Sequence, residues 1–306
     1  MAKILILGVT GSGKGAVARA LAQRLGGQVL SVDSMKIYRR MDIGTAKPPM
    51  EVRRRLVHHL IDVVEPSESF DVEQYLCLAR QAMDTMQSAQ VPVIAAGGTA
   101  LYIKALLHGL FDGPGADEDI RCRLKQRLNE MGSAALHAEL ARVDPAAAQR
   151  IHRNDARRII RALEVYELTG RPISDWQRQW AAPPRSDWTV IGLRRGKDIE
   201  SRRINRRVER MIELGLRDEA ARLLEEEPPL GPQARAAIGY TEMIDHLQGR
   251  VTLDEAIERI KINTRKFAKS QRTWFKTFRP VRWIDVPDGM HVEDLAQTVL
   301  DRADHK

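Results

Sequence analysis

The sequence predicts an α/β fold, in which a core built on a parallel sheet is interrupted by an all-helical insertion. Over the first ~110 residues short apolar runs alternate with helical patterns, which is typical of βαβ units. From about Ala116 to Trp180 the pattern is helical throughout and rich in Arg and Ala, and an apolar run then returns. We therefore expect the core to comprise residues 1–112 and 189–306, and the insertion residues 113–188.

Six short apolar runs are the candidate strands. In chain order they are Ile4–Leu7, Gln28–Val32, His59–Val63, Val91–Ala95, Thr189–Leu193 and Val281–Val286. The first four are followed by, or end in, residues that suit a binding site: a glycine-rich turn, Asp33-Ser34, Asp62 and Gly97-Gly98-Thr99. Because open α/β sheets bind ligands at the carboxyl ends of their strands, we expect these residues to line one crevice.

The glycine-rich turn after the first run reads GVTGSGKG over residues 8–15. It follows the P-loop pattern G-x-x-x-x-G-K-[ST], except that Gly15 replaces the hydroxyl residue that normally helps to hold Mg²⁺. Backbone N–H groups at a helix N-terminus, together with the Lys14 ammonium, form a cradle for anions. The residues expected to bind phosphate groups are Gly8, Thr10, Gly11, Ser12, Gly13, Lys14 and Gly15.

Two further strand ends carry candidate chemistry. Asp33 follows the second strand, where its carboxylate suits a general base, but Asp and Ser are also the preferred helix-capping residues, and spacing leaves both readings open. Gly97-Gly98-Thr99 follows the fourth strand. Glycines allow a ligand to approach the backbone and Thr99 can hydrogen-bond it, although a tight strand-to-helix turn has the same composition.

The charge balance favours a phosphate-rich partner. Lys and Arg total 49 against 41 Asp and Glu, a net charge of +8. Three basic groups stand out: Arg150, Arg153, Arg157 and Arg161 in the insertion; Lys261, Arg265, Lys269, Arg272 and Lys276 near the C-terminus; and Arg202, Arg203, Arg206, Arg207 and Arg210 after the fifth strand. Such groups suit phosphate-backbone contact, whereas a single charged helix face is usually only solvated.

Several classes of protein are disfavoured by the sequence. No apolar run approaches the roughly 18 residues that a membrane span needs, and the N-terminus reads as a strand instead of a signal peptide. The two cysteines and eight histidines show no metal-ligand spacing. We therefore expect a cytoplasmic protein with reduced thiols, without a membrane partner, and a monomer.

Taken together, the motifs resemble the tRNA dimethylallyltransferase (tRNA isopentenyl-transferase) family in its short bacterial form. The matching segments run along nearly the whole chain, and among the most specific are DIGTAKP from residue 42 and RALEVYELTGRP from residue 161. The resemblance implies an enzyme that transfers a dimethylallyl group from dimethylallyl diphosphate to N6 of the adenosine 3′-adjacent to the anticodon. The glycine loop, although of the ATP-binding pattern, would then hold a diphosphate.

The resemblance also implies roles for individual residues. Asp33 would accept the N6 proton and Thr99 would hydrogen-bond the same amine, while Arg203 or Arg207 would join the loop in binding diphosphate. The insertion would grip the anticodon arm. The residues implied to contact tRNA are Asp33, Ser34, Met35, Lys36, Thr99, Arg121, Arg157, Arg158, Ile159, Ile160, Arg161, Lys269, Gln271 and Trp274.

Three positions depart from the family pattern. Val9 stands where Pro is usual, Gly15 where Ser or Thr is usual, and Lys36 where Gln or a small residue is commoner. Without the hydroxyl, we expect Mg²⁺ to be held mainly by the diphosphate, with Ser12 or Ser34 as the available protein ligands, and we expect a weaker dependence on the metal. Two alternatives remain open: a tRNA-binding homologue that has lost its chemistry, and a P-loop small-molecule kinase.

Overall fold

The computed structural model describes residues 2–110, 113–177, 187–279 and 281–304. The chain forms two compact units. The first, here called the sheet unit, comprises Met1–Leu107 and Pro184–Lys306, and the second, the helical unit, comprises His108–Pro183. Pro183-Pro184, a proline pair between the helical stretch of the sequence and the fifth predicted strand, lies outside the described residues.

One parallel six-stranded sheet forms the centre of the sheet unit, which confirms the predicted α/β fold. The strands are β1 (Lys3–Gly8), β2 (Gln28–Val32), β3 (His58–His59), β4 (Val93–Gly97), β5 (Thr189–Arg194) and β6 (Arg282–Asp285). Their order across the sheet is β3-β2-β4-β1-β5-β6. Because β1 lies between β4 and β5, the loop that follows it emerges near the middle of the sheet, where α/β folds bind ligands.

The third strand is much shorter than predicted. The expected run His59–Val63 is strand only at His58–His59, because Leu60 and Asp62 adopt left-handed backbone angles with φ of 61° and 57°. An extended strand cannot continue through left-handed residues. Asp62 consequently leaves the sheet, and its carboxylate accepts hydrogen bonds from Lys47 and Arg53.

The helices surround this sheet or build the helical unit. In chain order they are α1 (Lys14–Leu25), α2 (Met50–Arg55), α3 (Val72–Ser88), α4 (Ala100–His108), α5 (Glu118–Val143), α6 (Pro145–Arg150), α7 (Ala156–Thr169), α8 (Ile173–Trp176), α9 (Lys197–Glu213), α10 (Leu216–Leu224), α11 (Pro232–Arg235), α12 (Tyr240–Leu247), α13 (Leu253–Phe275) and α14 (Val292–Asp304). No helix among the described residues is long and apolar enough to cross a membrane.

The hydrophobic core of the sheet unit holds the first strand and the first helix together. Ile4 and Ile6 of β1 pack in one buried cluster with Val17 and Leu21 of α1 and with Val299 of α14. These α1 positions are four residues apart, so they share one helix face. Burial of that face fixes where α1 begins, and therefore where the glycine loop lies.

The helical unit has its own hydrophobic core and a buried carboxylate. Leu124, Leu140 and Leu163 are among the residues of this core. The fully buried Glu164 accepts hydrogen bonds from the Asp117 N–H at 2.7 Å and from the Arg161 guanidinium at 2.7 Å, and the Arg121 guanidinium lies 2.9 Å from it. The buried charge is thus compensated within the unit, as buried carboxylates require.

Candidate active site

A cavity of about 740 Å³ opens in the sheet unit at the carboxyl ends of β1, β2 and β4. The segments after these strands line one part of it, namely residues 10–11 and 13–16, residues 33–36 and residues 96–99. The other lining residues are Arg19, Gly44, Thr45, Ala46, Arg203, Arg206, Arg207, Val208, Met211, Ala236, Ala237, Ile238, Ile260, Thr264, Phe267 and Gln271. Three of the four predicted strand ends therefore meet in one crevice. Asp62 is not among the lining residues, and its expected place there is wrong.

The glycine loop turns sharply into α1. Gly13 precedes the helix with a φ of 96°, a left-handed angle that residues with a side chain rarely adopt. Its carbonyl accepts the N–H groups of Ala16 and Val17, so the helix starts directly after it. The N–H groups of the first turn, together with Lys14, therefore border the cavity, as an anion cradle requires.

Three polar side chains from the C-terminal half of the chain hold the loop from outside. The Arg195 guanidinium donates to the Ser12 carbonyl at 3.0 Å, Arg203 donates to the Gly11 carbonyl at 2.7 Å, and the Gln271 amide oxygen accepts the Thr10 N–H at 2.8 Å. The two arginine bonds occupy loop carbonyls and the Gln271 bond uses the Thr10 N–H, so the N–H groups at the start of α1 are the ones left for an anion. Arg195 was missed from the sequence, where the only sign of it is its place directly after the β5 run.

Lys14 is the half-buried cation of the cradle. Its ammonium donates to the Val9 carbonyl at 3.3 Å. Burial lowers its pKa from the ordinary value of 10.5 to about 7; Asp33 opposes this shift, and the positive charges of Lys36 and Arg207 add to it. A lysine in such a setting gains strongly from a nearby anion.

Asp33 and Thr99 face the same cavity from neighbouring strands. One carboxylate oxygen of Asp33 accepts the N–H groups of Met35 at 2.9 Å and Lys36 at 3.3 Å, so Asp33 does cap the following segment, which is a turn and not a helix. The Thr99 hydroxyl accepts the Ser34 N–H at 3.0 Å and lies 3.4 Å from the Ser34 hydroxyl. The capping role and the general-base role are compatible, because the cap uses a single carboxylate oxygen.

Gln271 joins the glycine loop to the end of β4. Its amide nitrogen donates to the Gly98 carbonyl at 2.8 Å while its oxygen accepts from Thr10. A side chain at Gly97 would place its Cβ 1.9 Å from the Val32 carbonyl oxygen, so the close approach of β2 and β4 requires a glycine there. Gln271 lines the cavity, but both ends of its amide are engaged within the protein.

Positive charge dominates the polar part of the cavity wall. The lining Lys and Arg residues are Lys14, Arg19, Lys36, Arg203, Arg206 and Arg207. Burial lowers the pKa values of Lys36 and Arg207, partly offset by the nearby Asp33, and it also lowers that of Arg19. Arg206 belongs to the basic group expected from the sequence after the fifth strand, whereas Arg19 was not identified there, because helical periodicity shows which residues share a face and not what that face borders.

An apolar wall completes the cavity. Val208 and Met211 of α9, Ala237, and Ile260 and Phe267 of α13 contribute to it. Phe267 is 45% exposed, an unusual position for a large aromatic side chain. The cavity thus combines an anion-binding side with a hydrocarbon side, which suits a ligand that has both a charged and an apolar part.

The donor set of the cavity does not fit a metal ion held by the protein. Among the described residues no group of three or more His, Cys, Asp or Glu could hold one. Asp33 is the only carboxylate among the residues that line the cavity. Ser12 is fully buried and its hydroxyl accepts the Lys14 N–H at 3.4 Å, so of the two expected hydroxyl ligands only Ser34 lines the cavity.

The other residues implied to contact tRNA lie outside the cavity. Arg157 and Arg158 are exposed at the start of α7, whereas Ile159 and Ile160 are buried in the core of the helical unit. Arg121 and Arg161 contact the buried Glu164. The side chains of these isoleucines therefore pack the helix and are not presented at its surface.

The basic stripe on α13 is used largely for packing. Lys261 pairs with Glu209 and Glu258, Arg265 donates to Asn205, and Arg272 pairs with Glu200. Lys269 and Lys276 are exposed, and Trp274 is half-buried. Three of the five cations are thus engaged by α9 or by an acid on α13 itself, and contact of the stripe with phosphate groups stays a prediction.

Comparison with known proteins gives one consistent result. The model of the IPP transferase family matches residues 36–278, which is more than half of the chain. The chain is 43% identical to tRNA dimethylallyltransferase of Geobacter metallireducens over 93% of its own length and 92% of that protein. It is 45% identical to tRNA dimethylallyltransferase of Geobacillus thermodenitrificans over 93% and 90% of the two chains.

Solved structures agree with the sequence relatives. The full-length tRNA isopentenylpyrophosphate transferase of Bacillus halodurans is similar with a TM-score of 0.70 and 40% identity, over 99% of this chain and 96% of that one. A eukaryotic dimethylallyltransferase acting on tRNA is similar with a TM-score of 0.79 and 27% identity, over 99% and 77%. With a matching family model, close relatives along nearly all of its length and the same fold, the chain belongs to the IPP transferase family of prenyltransferases.

Proposed function

We propose that the sheet unit transfers a dimethylallyl group from dimethylallyl diphosphate to N6 of the adenosine 3′-adjacent to the anticodon of a tRNA. The observation that carries the proposal is the composition of the cavity. A glycine loop with a half-buried lysine lies in the same crevice as Asp33 and Thr99, beside an apolar wall. The curated relatives described above are tRNA dimethylallyltransferases, and one neighbouring structure is of such an enzyme acting on tRNA.

The reaction places its largest demand on the leaving group. A bond forms between N6 and the first carbon of the dimethylallyl group, while the bond from that carbon to the diphosphate oxygen breaks and its electron pair goes to the diphosphate. Negative charge therefore gathers on the leaving diphosphate. Lys14, the loop N–H groups and Arg203 or Arg207 would stabilise that charge in place, without rearrangement during the reaction.

The adenosine amine loses its proton as the new bond forms. Asp33 would accept that proton on the carboxylate oxygen that does not cap the turn, and the Thr99 hydroxyl would orient the amine. A strong base is unnecessary, since the nitrogen becomes acidic once it carries the new substituent. Positioning of the two reactants is then the main contribution of the protein besides charge stabilisation.

Recognition of the anticodon arm is proposed for the helical unit, through Arg157 and Arg158. Both lie exposed in the first turn of α7. Arginines contact phosphate groups well, and a base that is buried in an enzyme site during the reaction must be flipped out of its stack. The expected contacts of Ser34, Met35 and Lys36 with tRNA are at the cavity itself.

Family members act on a diphosphate, a class of substrate that generally brings a divalent metal. Because the cavity does not fit a metal held by the protein, we propose that any Mg²⁺ enters as the counter-ion of the diphosphate. Ser34 would be the nearest lining hydroxyl. The expected monomeric state and cytoplasmic location stay predictions, which sedimentation equilibrium and cell fractionation would test.

No observation favours the alternative functions. A kinase would be expected to have a metal-holding hydroxyl after the loop lysine and an acidic residue at a strand end. This chain has Gly15 and Gly97-Gly98 at those positions. A tRNA-binding protein without activity would not require the retained set of Lys14, Asp33 and Thr99 around one cavity.

The test is transfer of label from radioactive dimethylallyl diphosphate to unmodified tRNA by the purified protein. We expect label on the tRNA with the wild type and its loss in Asp33→Ala, with Asp84→Ala, an exposed acid on α3, as the matched control. Diphosphate binding by Asp33→Ala should persist, which separates loss of chemistry from loss of fold. Tight tRNA binding by the wild type without any transfer of label would contradict the proposal.

A further inference from the structure

The backbone conformation at Gly15 does not require a glycine. It is not among the glycines with a positive φ, and a Cβ built on it would meet its nearest neighbour, a guanidinium nitrogen of Arg19, at 3.7 Å. That separation is an ordinary van der Waals contact. A serine or threonine would therefore fit the backbone here, and the guanidinium of Arg19 lies beside the space that its side chain would fill.

Arg19 reaches the loop because it lies one helical turn after Gly15 on α1. Side chains four residues apart share a helix face, and they lean toward the helix N-terminus. Arg19 lines the cavity, and burial lowers its pKa. Within the described part of the chain, no side chain or carbonyl accepts a hydrogen bond from its guanidinium, nor does any acid lie within ion-pair distance of it.

Lys36 and Arg207, like Arg19, are cavity-lining cations without a partner among the described residues. Each lines the cavity, and among the described residues neither side chain has a hydrogen-bond or ion-pair partner. Their charges act on one another and on Lys14, with Asp33 as the compensating acid. Arg19, Lys36 and Arg207 are half-buried. Partly desolvated charges without partners are costly, so a group of them that faces one cavity is balanced best by a multiply charged anion.

We propose that Arg19 and Lys36 are diphosphate ligands that supply the positive charge a hydroxyl-held metal ion would otherwise bring, so that this chain binds diphosphate without a divalent metal. The inference rests on the proposed function and deepens it. Gly15 removes the metal-holding hydroxyl, while Arg19 and Lys36 add two cations to the wall of the same cavity. Diphosphate then exchanges its hydration for fixed charge-assisted hydrogen bonds.

The experiment is titration calorimetry of inorganic diphosphate, first with EDTA and then with excess Mg²⁺. The wild type should bind in EDTA, and Arg19→Gln and Lys36→Gln should each weaken that binding by about tenfold or more, the loss of one charge-assisted hydrogen bond. Arg24→Gln is the matched control, since it removes an exposed arginine from the last turn of the same helix, outside the cavity. The control should bind as the wild type does.

A double variant keeps the test independent of any folding defect in Arg19→Gln. Adding Gly15→Ser to Arg19→Gln should restore diphosphate binding in Mg²⁺ but not in EDTA, which converts the site to metal dependence. Wild-type binding that needs Mg²⁺, or unchanged binding by Arg19→Gln and Lys36→Gln in EDTA, would overturn the inference while leaving the transferase function standing. Absence of wild-type binding under both conditions would refute both.

Discussion

At the scale of single residues, burial and neighbouring positive charge both lower the pKa of Lys14. The lysine lies among Lys36 and Arg207 with Asp33 as the opposing charge, and its pKa falls to about 7. In the protein without ligand, the ammonium form is therefore disfavoured near neutral pH. A bound diphosphate would reverse this, because an anion next to the ammonium favours the charged form.

Diphosphate affinity should consequently depend on pH around neutrality. Below pH 7 Lys14 is already protonated, whereas above pH 7 it must take up a proton when the anion binds, so affinity should fall as the pH rises to 9. Calorimetry at pH 8 in two buffers with different ionisation enthalpies should show net proton uptake. Arg24→Gln should show the same uptake, and Lys14→Met should abolish it together with most of the binding. Equal heats in the two buffers would contradict the assigned pKa.

The same lysine should reduce the stability of the protein without ligand. Its pKa is lowered on folding from 10.5 to about 7, so the unfolded chain binds more protons between these values and stability rises with pH there. The destabilisation is fully present below pH 7 and is gone above about pH 10.5. Lys14→Met should therefore raise the melting temperature at pH 6.5 by more than it does at pH 9.5. A lower melting temperature at pH 6.5 would be the contrary result.

Gln271 is expected to act as a positioning residue. Gln271→Met keeps the length of the side chain but leaves the Thr10 N–H and the Gly98 carbonyl without their partner. Leaving such groups unpaired costs about 1–3 kcal/mol, and the loop should lose its fixed place relative to Thr99. We expect kcat to fall several-fold more than KM for tRNA rises, measured by steady-state transfer of label. A change confined to KM for tRNA would instead support the tRNA contact that the resemblance implies.

At the scale of elements, one carboxylate holds the loop that follows the β2 segment. The buried Glu219 of α10 accepts the N–H groups of Asp42, Ile43 and Gly44 at 2.9–3.2 Å, and the Tyr240 hydroxyl at 2.6 Å. Gly44 and the two residues after it line the cavity. The DIGTAKP motif is thus explained by its position between a carboxylate and the substrate cavity.

Removal of that carboxylate should loosen the loop. Glu219→Ala leaves three half-buried N–H groups and the buried Tyr240 hydroxyl without an acceptor, and we expect a loss of about 2–4 kcal/mol in the free energy of unfolding. Glu213→Ala, an exposed residue at the end of α9, is the control and should change stability little. Urea denaturation followed by circular dichroism measures both. Equal midpoints for the two variants would show that Glu219 does not hold the loop.

The first turn of α7 should contribute to tRNA affinity. Replacing Arg157 and Arg158 together by Gln should weaken tRNA binding and reduce the slope of log affinity against log salt by about one for each phosphate contact that is lost. Arg142→Gln, also exposed in the helical unit, is the control. Diphosphate binding should be unaffected in both. An unchanged salt slope in the double variant would remove α7 from the proposed tRNA contact.

At the scale of the whole molecule, sequence patterns predict the strands of the sheet better than they predict which residues contact one another in the folded protein. The strands and the glycine loop follow from runs of Val, Ile and Leu and from one motif, because burial on both faces of a parallel sheet requires such runs. The shortening of β3 does not follow, since left-handed angles at Leu60 and Asp62 are set by tertiary contacts. The place of Arg19 at the cavity and the bond from Arg195 to the glycine loop both depend on the tertiary fold, so neither could be predicted from the sequence.

Helical periodicity is limited in the same way, because it shows which residues share a face of a helix but not what that face contacts. The stripe on α13 has the right spacing for one basic face, but its neighbours Glu200, Asn205 and Glu209 were not deducible, and they turn three of its cations inward. Likewise Ile159 and Ile160 follow two arginines in a segment that matches the family, although their own apolar character indicates the core in which they lie.

The place of β1 between β4 and β5 also matters while the chain is being made. Ile4 pairs with Thr189, so one edge of the first strand stays open on the ribosome until the segment that covers it has been translated. An uncovered edge with apolar side chains invites pairing with other chains. The helical unit is complete in sequence before β5 emerges and has its own core, so it is able to fold while the nascent sheet waits. Rapid translation or a bound chaperone would therefore protect newly made chains from such pairing over that interval.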